Sequence, residues 1–271
     1  MTLWRKYNGS LIPDQPPHIL VNDSENVIAK KIKEHNSYFA RWTSNFDCQM
    51  QTDFWYVIND RHLKIEDYSK NTRSKIRRGL KNCIVKVVSL DEIKEFGYEC
   101  YKYAFENYNT HLQPKSNLEF VDDLDALDRE WEFWGVFFDG KLIGYSQNRI
   151  VKDYCDYSTI KFHPKYLRYY PGYALFFSMN SYYLNEMKFK YVNDGARSIS
   201  HQTNIQLFLI QKFRFRKAYC NLHIQYHPLV NLFIFILFPF RLLIIKSNHT
   251  LLHKIGVVLM QEELHKANKV E

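Results

Sequence analysis

The stretch WEFWGVFFDGKLIGYSQNRI (131–150) contains two runs rich in apolar and aromatic residues, joined by Asp139-Gly140. Asp-Gly accepts positive φ at both central positions of a type I′ turn, whose twist matches that of an antiparallel strand pair. The stretch therefore predicts a β-hairpin with strands over 131–138 and 141–150. A third run, DYCDYSTIKF (153–162), follows at once and extends the prediction to a three-stranded antiparallel sheet.

Strand and helix patterns alternate on both sides of this hairpin. The elements predicted upstream are strands within 38–58, a basic helix over 70–81, a strand over 83–88 and a helix over 90–108. Those predicted downstream are a helix over 172–187, a strand over 189–194, a helix over 204–212 and a strand over 216–226. The first 35 residues hold three prolines and are interpreted as an irregular arm.

This order predicts an α/β (α+β) fold with a mixed, mainly antiparallel central sheet and helices on both faces. We expect three segments. Residues 1–50 form the N-terminal arm and first strands, 51–226 form the main domain, and 227–271 form an apolar and amphipathic C-terminal helical segment.

The composition and motif content of the chain argue against several kinds of functional site. The five cysteines stand singly with no C-x-x-C pair, which disfavours a zinc ribbon or a redox dithiol, and we expect no metal. The first residues lack the apolar stretch of a secretory signal, so the cytoplasm is the expected compartment. The chain has no G-x-S-x-G, H-E-x-x-H or Walker A motif. A net charge of +8 favours an anionic partner.

Positive charge is concentrated in KNTRSKIRRGLK (70–81), where six of twelve residues are basic and none is acidic. This helix presents either a solvated face or a face that binds anions. The stretch SKNTRSKIRRGLKNCIVKVV (69–88) resembles the K-x-R-x-x-I-R-x-A/G-x-K-x-G segment of Fem-type and cellulose-biosynthesis-type acyltransferases. These are relatives of the GNAT superfamily, and the element order over about 50–226 is similar to the GNAT fold as well.

The resemblance implies where an acyl-CoA donor would bind. In GNAT proteins the strand before the main helix supports the pantetheine arm, and the loop into that helix holds the pyrophosphate with backbone N–H groups. The matching strand residues here are Ser158, Thr159 and Ile160. The matching loop residues are Tyr170, Pro171, Gly172, Tyr173 and Ala174, with one glycine where the family usually has two.

The polar stretch NDGARSISHQTN (193–204) lies between an apolar strand and a helix, where α/β sheets usually bind ligands. Acylation of an amine needs a group that removes a proton and donors near the reacting carbonyl. Asp194 or His201 is the candidate base, and Ser198 is a candidate donor to the leaving thiolate. Arg197 and Asn193 are candidate substrate-binding residues.

Structural roles explain the same residue types. Ser200 or Thr203 can cap the following helix, and Asp194-Gly195 can form a simple turn. Glu130 and Glu132, at the start of a hairpin strand, are either acceptor-side carboxylates or residues of an exposed strand end.

The run LVNLFIFILFPFRLLII (229–245) is the most apolar in the chain, and Lys246, His249 and Lys254 follow it. A helix in the interface of an anionic membrane explains this pattern, with the basic residues of 229–254 near headgroups. A helix docked on the protein or at a dimer interface explains it as well, and a true membrane span is a third alternative. We therefore expect a cytoplasmic protein that can lie against the inner face of the membrane.

Three functions follow. The first is transfer of an acyl group from a thioester such as acyl-CoA to an amine, with a lipid or cell-envelope acceptor. The second is Fem-type transfer from aminoacyl-tRNA, in which Arg73, Arg77 and Arg78 of the basic helix contact RNA phosphates. The third is a non-catalytic, membrane-associated binding module.

Overall fold

The computed structural model describes residues 1–7, 9–108, 113–127, 130–199, 204–245 and 250–267. The strands in this part of the chain are β1 (Trp4–Tyr7), β2 (Ser10–Pro13), β3 (Phe39–Ser44), β4 (Phe54–Asn59), β5 (Ile84–Val88), β6 (Trp131–Phe138), β7 (Lys141–Val151), β8 (Tyr154–Phe162), β9 (Tyr191–Ala196) and β10 (Arg216–Tyr226). The α-helices are α1 (Glu25–Glu34), α2 (Lys70–Asn82), α3 (Leu90–Glu106), α4 (Asn117–Asp125), α5 (Pro171–Asn180), α6 (Asn204–Phe213), α7 (Pro228–Leu237), α8 (Arg241–Ile245) and α9 (Thr250–Ala267).

The chain divides into two compact units, each built from separate segments. The first unit comprises Met1–Tyr56, Ala196–Asn204 and Lys217–Glu271. The second unit comprises Val57–Gly195 and Ile205–Arg216. The three segments expected from the sequence stay a prediction about chain organisation.

The second unit contains the predicted hairpin. Its strands follow the order β9-β8-β7-β6-β5. The pairs β5–β6, β6–β7 and β7–β8 are antiparallel, whereas β8 and β9 are parallel. Asp139 and Gly140 have φ of 50° and 73°, as the Asp-Gly turn predicts. The mixed, mainly antiparallel sheet is therefore confirmed.

Helices cover both faces of this sheet. On one face Tyr145 packs with Cys100 of α3 in a buried cluster. On the other face Asn148, three residues further along β7, donates a hydrogen bond to the sulfur of Met179 in α5 at 3.2 Å. Because side chains alternate along a strand, odd-numbered residues from Tyr145 onward face α3 and even-numbered ones face α5.

The first unit pairs its strands in the order β1-β2-β3-β10. The irregular arm expected over the first 35 residues is wrong, because β1, β2 and α1 form there. Ile28 and Ile32, one helical turn apart on α1, are 1% exposed and pack with Trp4, Leu11 and Ala40. The prolines that suggested irregular structure lie at the end of β2 and in the loop behind it.

The C-terminal helices belong to the first unit. The predicted apolar helix is interrupted at Pro239 by a 3₁₀ turn, Phe238–Phe240, that separates α7 from α8. Within the described residues, Pro228–Ile245 is long and apolar enough to cross a membrane by length and composition alone, with a mean hydropathy of 2.3 and 6% of it buried. Val258 and Leu264 of α9 pack against the buried residues Phe39, Phe54 and Leu222.

Candidate active site

The sheet of the second unit opens where β8 leaves β9. The parallel pairing runs from Tyr154 opposite Tyr191 to Asp156 opposite Asn193 and ends there. β8 also contains a bulge, because Gln147 lies opposite Thr159 whereas Asn148 lies opposite Tyr157, which makes Ser158 the extra residue. A bulge bends its strand and increases the local twist. Ser158, Thr159 and Ile160, the predicted donor-arm residues, therefore lie on the bent part of β8 beyond the fork.

A row of polar side chains crosses three strands at this fork and continues to the residue before β6, on the face that α3 occupies. Arg149 of β7 lies opposite Asp156 of β8, which lies opposite Asn193 of β9. The guanidinium of Arg149 donates two hydrogen bonds to Glu130 Oε2, at 2.6 and 3.1 Å. Asn193 Nδ2 donates to Asp156 Oδ1 at 3.0 Å and to the Tyr154 hydroxyl at 2.9 Å. We call Glu130, Arg149, Asp156 and Asn193 the polar row.

Asn193 is the buried end of the polar row. The residue is 2% exposed, and its Oδ1 is buried without a hydrogen-bond donor among the described residues. A buried acceptor left without a donor costs about 1–3 kcal/mol, so such atoms are nearly always satisfied in a working protein. Its position beside the Asp156 carboxylate suits a cationic N–H donor, which is the chemistry of an amine.

Asp194 follows Asn193 and points to the opposite face of the sheet, toward α5. Burial raises the pKa of the Asp194 carboxyl well above its usual range, and the negative charge of Asp156 raises it further. Tyr157 occupies the same face and donates from its hydroxyl to Asn180 Oδ1 at 2.9 Å. A carboxyl whose pKa is raised binds a proton more readily than an ordinary aspartate, as a general base must.

Asp156 and Arg149 were not singled out in the sequence. Asp156 is one of two aspartates in a strand of alternating polarity, and only the register of β8 with β7 and β9 places it between Arg149 and Asn193. Identification of Asp156 as a site residue therefore requires the strand pairing, which a single sequence does not specify.

The start of α5 forms the predicted pyrophosphate loop. Tyr170 has a left-handed backbone, with φ of 61° and ψ of 42°, and its carbonyl accepts from the amides of Tyr173 and Ala174 at 3.1 and 3.2 Å. Pro171 has no amide hydrogen, so the Gly172 amide is the first-turn donor that this part of the structure leaves for a ligand. Gly172 packs against Phe162, since a Cβ there would lie 3.5 Å from its ring.

The basic helix α2 packs directly on this loop. Ser69 caps it by accepting from the Thr72 amide at 3.3 Å. A Cβ on Gly79 would lie 2.7 Å from the Tyr170 carbonyl oxygen, so the two backbones touch. Arg78 donates to the Tyr170 hydroxyl at 3.3 Å, with its guanidinium carbon 4.7 Å from the ring centroid.

Lys75 adds a second cation, with Nζ 5.4 Å from the centroid of the Tyr173 ring. By contrast, Arg73 and Arg77, predicted to bind substrate, face Glu66. Arg73 donates to its backbone carbonyl at 3.3 Å, and Arg77 lies 3.6 Å from its carboxylate. Lys75, Arg78 and Gly79 are spaced so that they lie on one face of α2. This spacing is the sequence pattern that indicates which face of α2 packs on α5.

Aromatic rings fill the space between α5 and α6. The centroids of Tyr173 and Phe208 are 5.1 Å apart, and those of Phe176 and Phe213 are 5.5 Å apart. Phe213 also contacts Tyr173 at 5.8 Å. These rings are in van der Waals contact, so a slender carrier arm does not pass between the two helices at this level without moving them.

The other predicted chemical residues lie elsewhere. Arg197 and Ser198 belong to the first unit, because the division of the chain falls between Gly195 and Ala196. The Arg197 amide donates to the Trp55 carbonyl at 2.8 Å, and its guanidinium lies 4.6 Å from the Trp55 ring centroid and donates to the Asp53 carbonyl. His201, the other candidate base, lies outside the described residues.

Glu132 has a structural environment. Its Oε1 accepts from the Tyr183 hydroxyl and from Trp134 Nε1, the latter at 3.0 Å. Tyr183 also accepts from Asn148 Nδ2 at 3.1 Å. The Glu132 carboxylate is therefore held within a hydrogen-bonded cluster under the end of α5, on the face opposite the polar row.

Changing Gly79 to alanine is expected to destabilise the protein by about 1–3 kcal/mol, because the new methyl group forces α2 away from the Tyr170 carbonyl. The sign is diagnostic, since the same change inside an unobstructed helix stabilises by about 0.5–1 kcal/mol. Urea denaturation measures the difference. Ser74→Ala, at an exposed position of α2, is the control and should leave the midpoint nearly unchanged. A stabilised Gly79→Ala variant would contradict the close packing.

A bulged strand that parts from its parallel neighbour, followed by a helix whose first turn faces a basic helix, defines the class of fold as GNAT-like. No protein-family model and no curated protein matches the sequence. Among solved structures the chain is similar to FemX, at 11% identity and a TM-score of 0.59, over 85% of both chains. It is also similar to the C-terminal domain (DUF2156) of a putative lysylphosphatidylglycerol synthetase from Agrobacterium fabrum.

That second similarity has 12% identity and a TM-score of 0.50, over 86% of this chain and 83% of the other. A third structure, the ribosomal-protein-S18-alanine N-acetyltransferase of Escherichia coli, matches 38% of this chain and 60% of its own length, at 16% identity and a TM-score of 0.31. That score is too low to support an argument. The first two similarities show the fold, and the GNAT-like fold near Fem-type proteins that the sequence predicted is confirmed.

Proposed function

We propose that this protein transfers an acyl or aminoacyl group from a phosphate-bearing carrier to an amine. The observation that carries the proposal is the fork between β8 and β9. It has a buried, donor-seeking Asn193 on one face and the raised-pKa carboxyl of Asp194 on the other.

In the proposed reaction the polar row holds the acceptor. The ammonium form donates to Asn193 Oδ1 and is attracted by the Asp156 carboxylate. This position lies where the β8–β9 pairing ends and the sheet no longer separates its two faces. There Asp194 takes a proton from the ammonium, and the resulting amine nitrogen attacks the carbonyl carbon of the donor. The carbon–nitrogen bond forms, the bond from that carbon to the carrier's sulfur or oxygen breaks, and the leaving atom takes the second proton that the nitrogen loses. Arg149, held by Glu130 and opposite Asp156 in the strand register, places a positive charge beside the acceptor site.

The first candidate donor is an acyl thioester such as acyl-CoA. Its phosphates would bind at the start of α5, between the Gly172 amide and the cations of Lys75 and Arg78. A helix N-terminus and two cations attract the same anion, so their effects add. Tyr170 and Tyr173, which these cations already contact, would form the sides of the site.

The second candidate donor is aminoacyl-tRNA, and two observations favour it. The contacts of Tyr173 and Phe176 with Phe208 and Phe213 fill the space between α5 and α6, so a pantetheine arm would be left with the β8 strand alone. In addition, α2 has six basic and no acidic residues, as an RNA-phosphate surface requires. FemX and the lysylphosphatidylglycerol synthetase domain share the fold, and the name of the latter describes aminoacyl chemistry.

A thermal-shift screen against acetyl-CoA, a long-chain acyl-CoA and charged tRNA tests the proposal, because a ligand of the native state raises Tm by mass action. We expect one donor class to raise Tm. If none does, and no amine is acylated, the non-catalytic module replaces the transferase.

Variants of Arg78 and Arg77, which lie on different faces of α2, test which face binds the phosphates of the donor. Arg78→Gln is expected to weaken binding of the donor identified in the screen by about 10- to 100-fold, because it removes a charged contact at the start of α5. With tRNA as the donor, the salt slope should also fall by about one. Arg77→Gln is the matched control, since Arg77 pairs with Glu66, and is expected to change binding less than about 3-fold. The reverse order of effects would place the phosphate site on the face of Arg73 and Arg77.

A further inference from the structure

Helices α7 and α8 expose an apolar surface of a kind that monomeric soluble proteins rarely show. Eight large apolar side chains on them and their connecting turn are more than half exposed: Leu229, Leu232, Phe233, Phe235, Ile236, Phe240, Leu242 and Leu243. Phe235 is 79% exposed and Leu243 is 73% exposed. We call these eight side chains the apolar surface.

Both ends of this segment are attached to the same sheet of the first unit. Before α7, the His227 amide donates to the Tyr38 carbonyl at 2.9 Å. After α8, the chain returns through α9, where His265 Nδ1 lies 3.0 Å from the Leu222 carbonyl and Arg41 donates to Gln261 Oε1 at 3.0 Å. A single crossing of a bilayer would place α9 on the far side from β10. The packing of α9 on β10 therefore excludes a span.

The charge of the surrounding chain identifies what covers the apolar surface. Within the first unit, the chain from Lys217 to Gln261 has four lysines and arginines and no acidic residue, and Glu262 and Glu263 follow it. Arg241 lies within the segment and donates to Glu263 Oε1 at 3.0 Å, whereas Lys254 is exposed on α9. A second copy of the chain would bring the same positive charges together across a symmetric interface. An anionic bilayer offers both hydrocarbon for the apolar side chains and negative headgroups for the basic ones.

We infer that α7 and α8 lie in the interface of an anionic phospholipid bilayer, with the apolar surface among the acyl chains and the basic residues at the headgroups. The inference does not depend on the transferase chemistry, because its evidence comes from other residues in the first unit. If both hold, the acceptor amine is one that a bilayer surface presents.

Sedimentation of the full chain with vesicles tests this inference. The purified protein is mixed with vesicles of phosphatidylcholine alone or with added phosphatidylglycerol. We expect binding to the anionic vesicles, weaker binding to phosphatidylcholine, and a decrease but not a loss at high salt, because burial of apolar side chains remains.

Leu243→Glu and Phe235→Glu are each expected to lower the vesicle partition coefficient by at least ~10-fold, since each removes a large apolar side chain from the bilayer. Both positions are exposed, so Tm without vesicles should stay unchanged. Leu118→Glu, at an exposed leucine of α4 that is 71% accessible, is the matched control and should bind like the wild type. Equal binding of all three variants would overturn the inference. So would a wild type that ignores anionic vesicles and forms dimers that Leu243→Glu dissociates.

Discussion

Asp194→Asn is expected to lower kcat by about 10²- to 10⁴-fold while raising Tm at neutral pH. The loss of rate follows if the carboxyl removes the proton from the acceptor amine, because general bases contribute about that factor. The gain in stability follows because burial and Asp156 raise the pKa of this carboxyl, so the folded state holds a proton more tightly than the unfolded state. Steady-state kinetics with the donor and amine from the screen, and thermal melts, measure the two effects.

The raised pKa of Asp194 fixes the direction in which stability and rate change with pH. A raised pKa makes the contribution of Asp194 to stability greatest at acid pH and diminishes it as pH rises through the folded-state pKa. The stabilising effect of Asp194→Asn should therefore be absent in acid and grow as pH increases. The wild-type rate should rise over the same interval, because the base must be unprotonated. Asp139→Asn, in the exposed hairpin turn, is the control and should change neither quantity. An unchanged kcat would exclude Asp194 as the base.

Phe213→Ala is expected to destabilise the protein by about 3–5 kcal/mol, the range for removing a buried phenylalanine. Phe213 is 0% exposed, and its ring contacts Tyr68, Tyr173, Phe176 and Phe208. The substitution would leave a cavity between α5 and α6. Urea denaturation with an unchanged m-value measures the effect.

Phe235→Ala is the matched control for Phe213→Ala. The chemical change is the same, but Phe235 is 79% exposed, so the expected change is within about 0.5 kcal/mol without lipid. A cost below about 1 kcal/mol for Phe213→Ala would mean that the rings are loosely packed. That result would reopen the route between the helices for a carrier arm.

Local signals predicted most of the fold. The Asp139-Gly140 turn specifies the hairpin from two adjacent residues, and the basic run over 70–81 lies on α2. The helix α4, which is not among the predicted elements, has a local signal as well, because Ser116 and Glu119 form a capping box at its start.

Elements that depend on distant contacts were not predictable in the same way. β1 and β2 are four residues each and are stabilised by a core shared with α1. The predicted helix over 172–187 ends as an α-helix at Asn180 and continues as a π-helical segment, Ser181–Glu186. Tyr182 and Tyr183 of that segment pack on Trp134, a contact between residues about fifty positions apart.

The candidate site shows the same limit. Asn193 and Asp194 stood out in the sequence as polar residues after an apolar strand, and the pyrophosphate loop stood out by its position before a helix. Asp156, Arg149 and Lys75 acquire meaning only from strand register and from the packing of α2 on α5. Sequence patterns locate a strand end, whereas tertiary pairing decides which side chains meet there.

Three residue pairs fasten β9 to β8, and the last of them joins Asp156 to Asn193. The contact between Asp156 and Asn193 in the proposed acceptor site is therefore also the last pairing between the two strands. An evolutionary substitution of Asn193 that changed the specificity for the amine would therefore also weaken the pairing of β8 with β9. Specificity should change more easily at the solvent-facing edge of the site, because Glu130 can be substituted without breaking the pairing of β8 with β9.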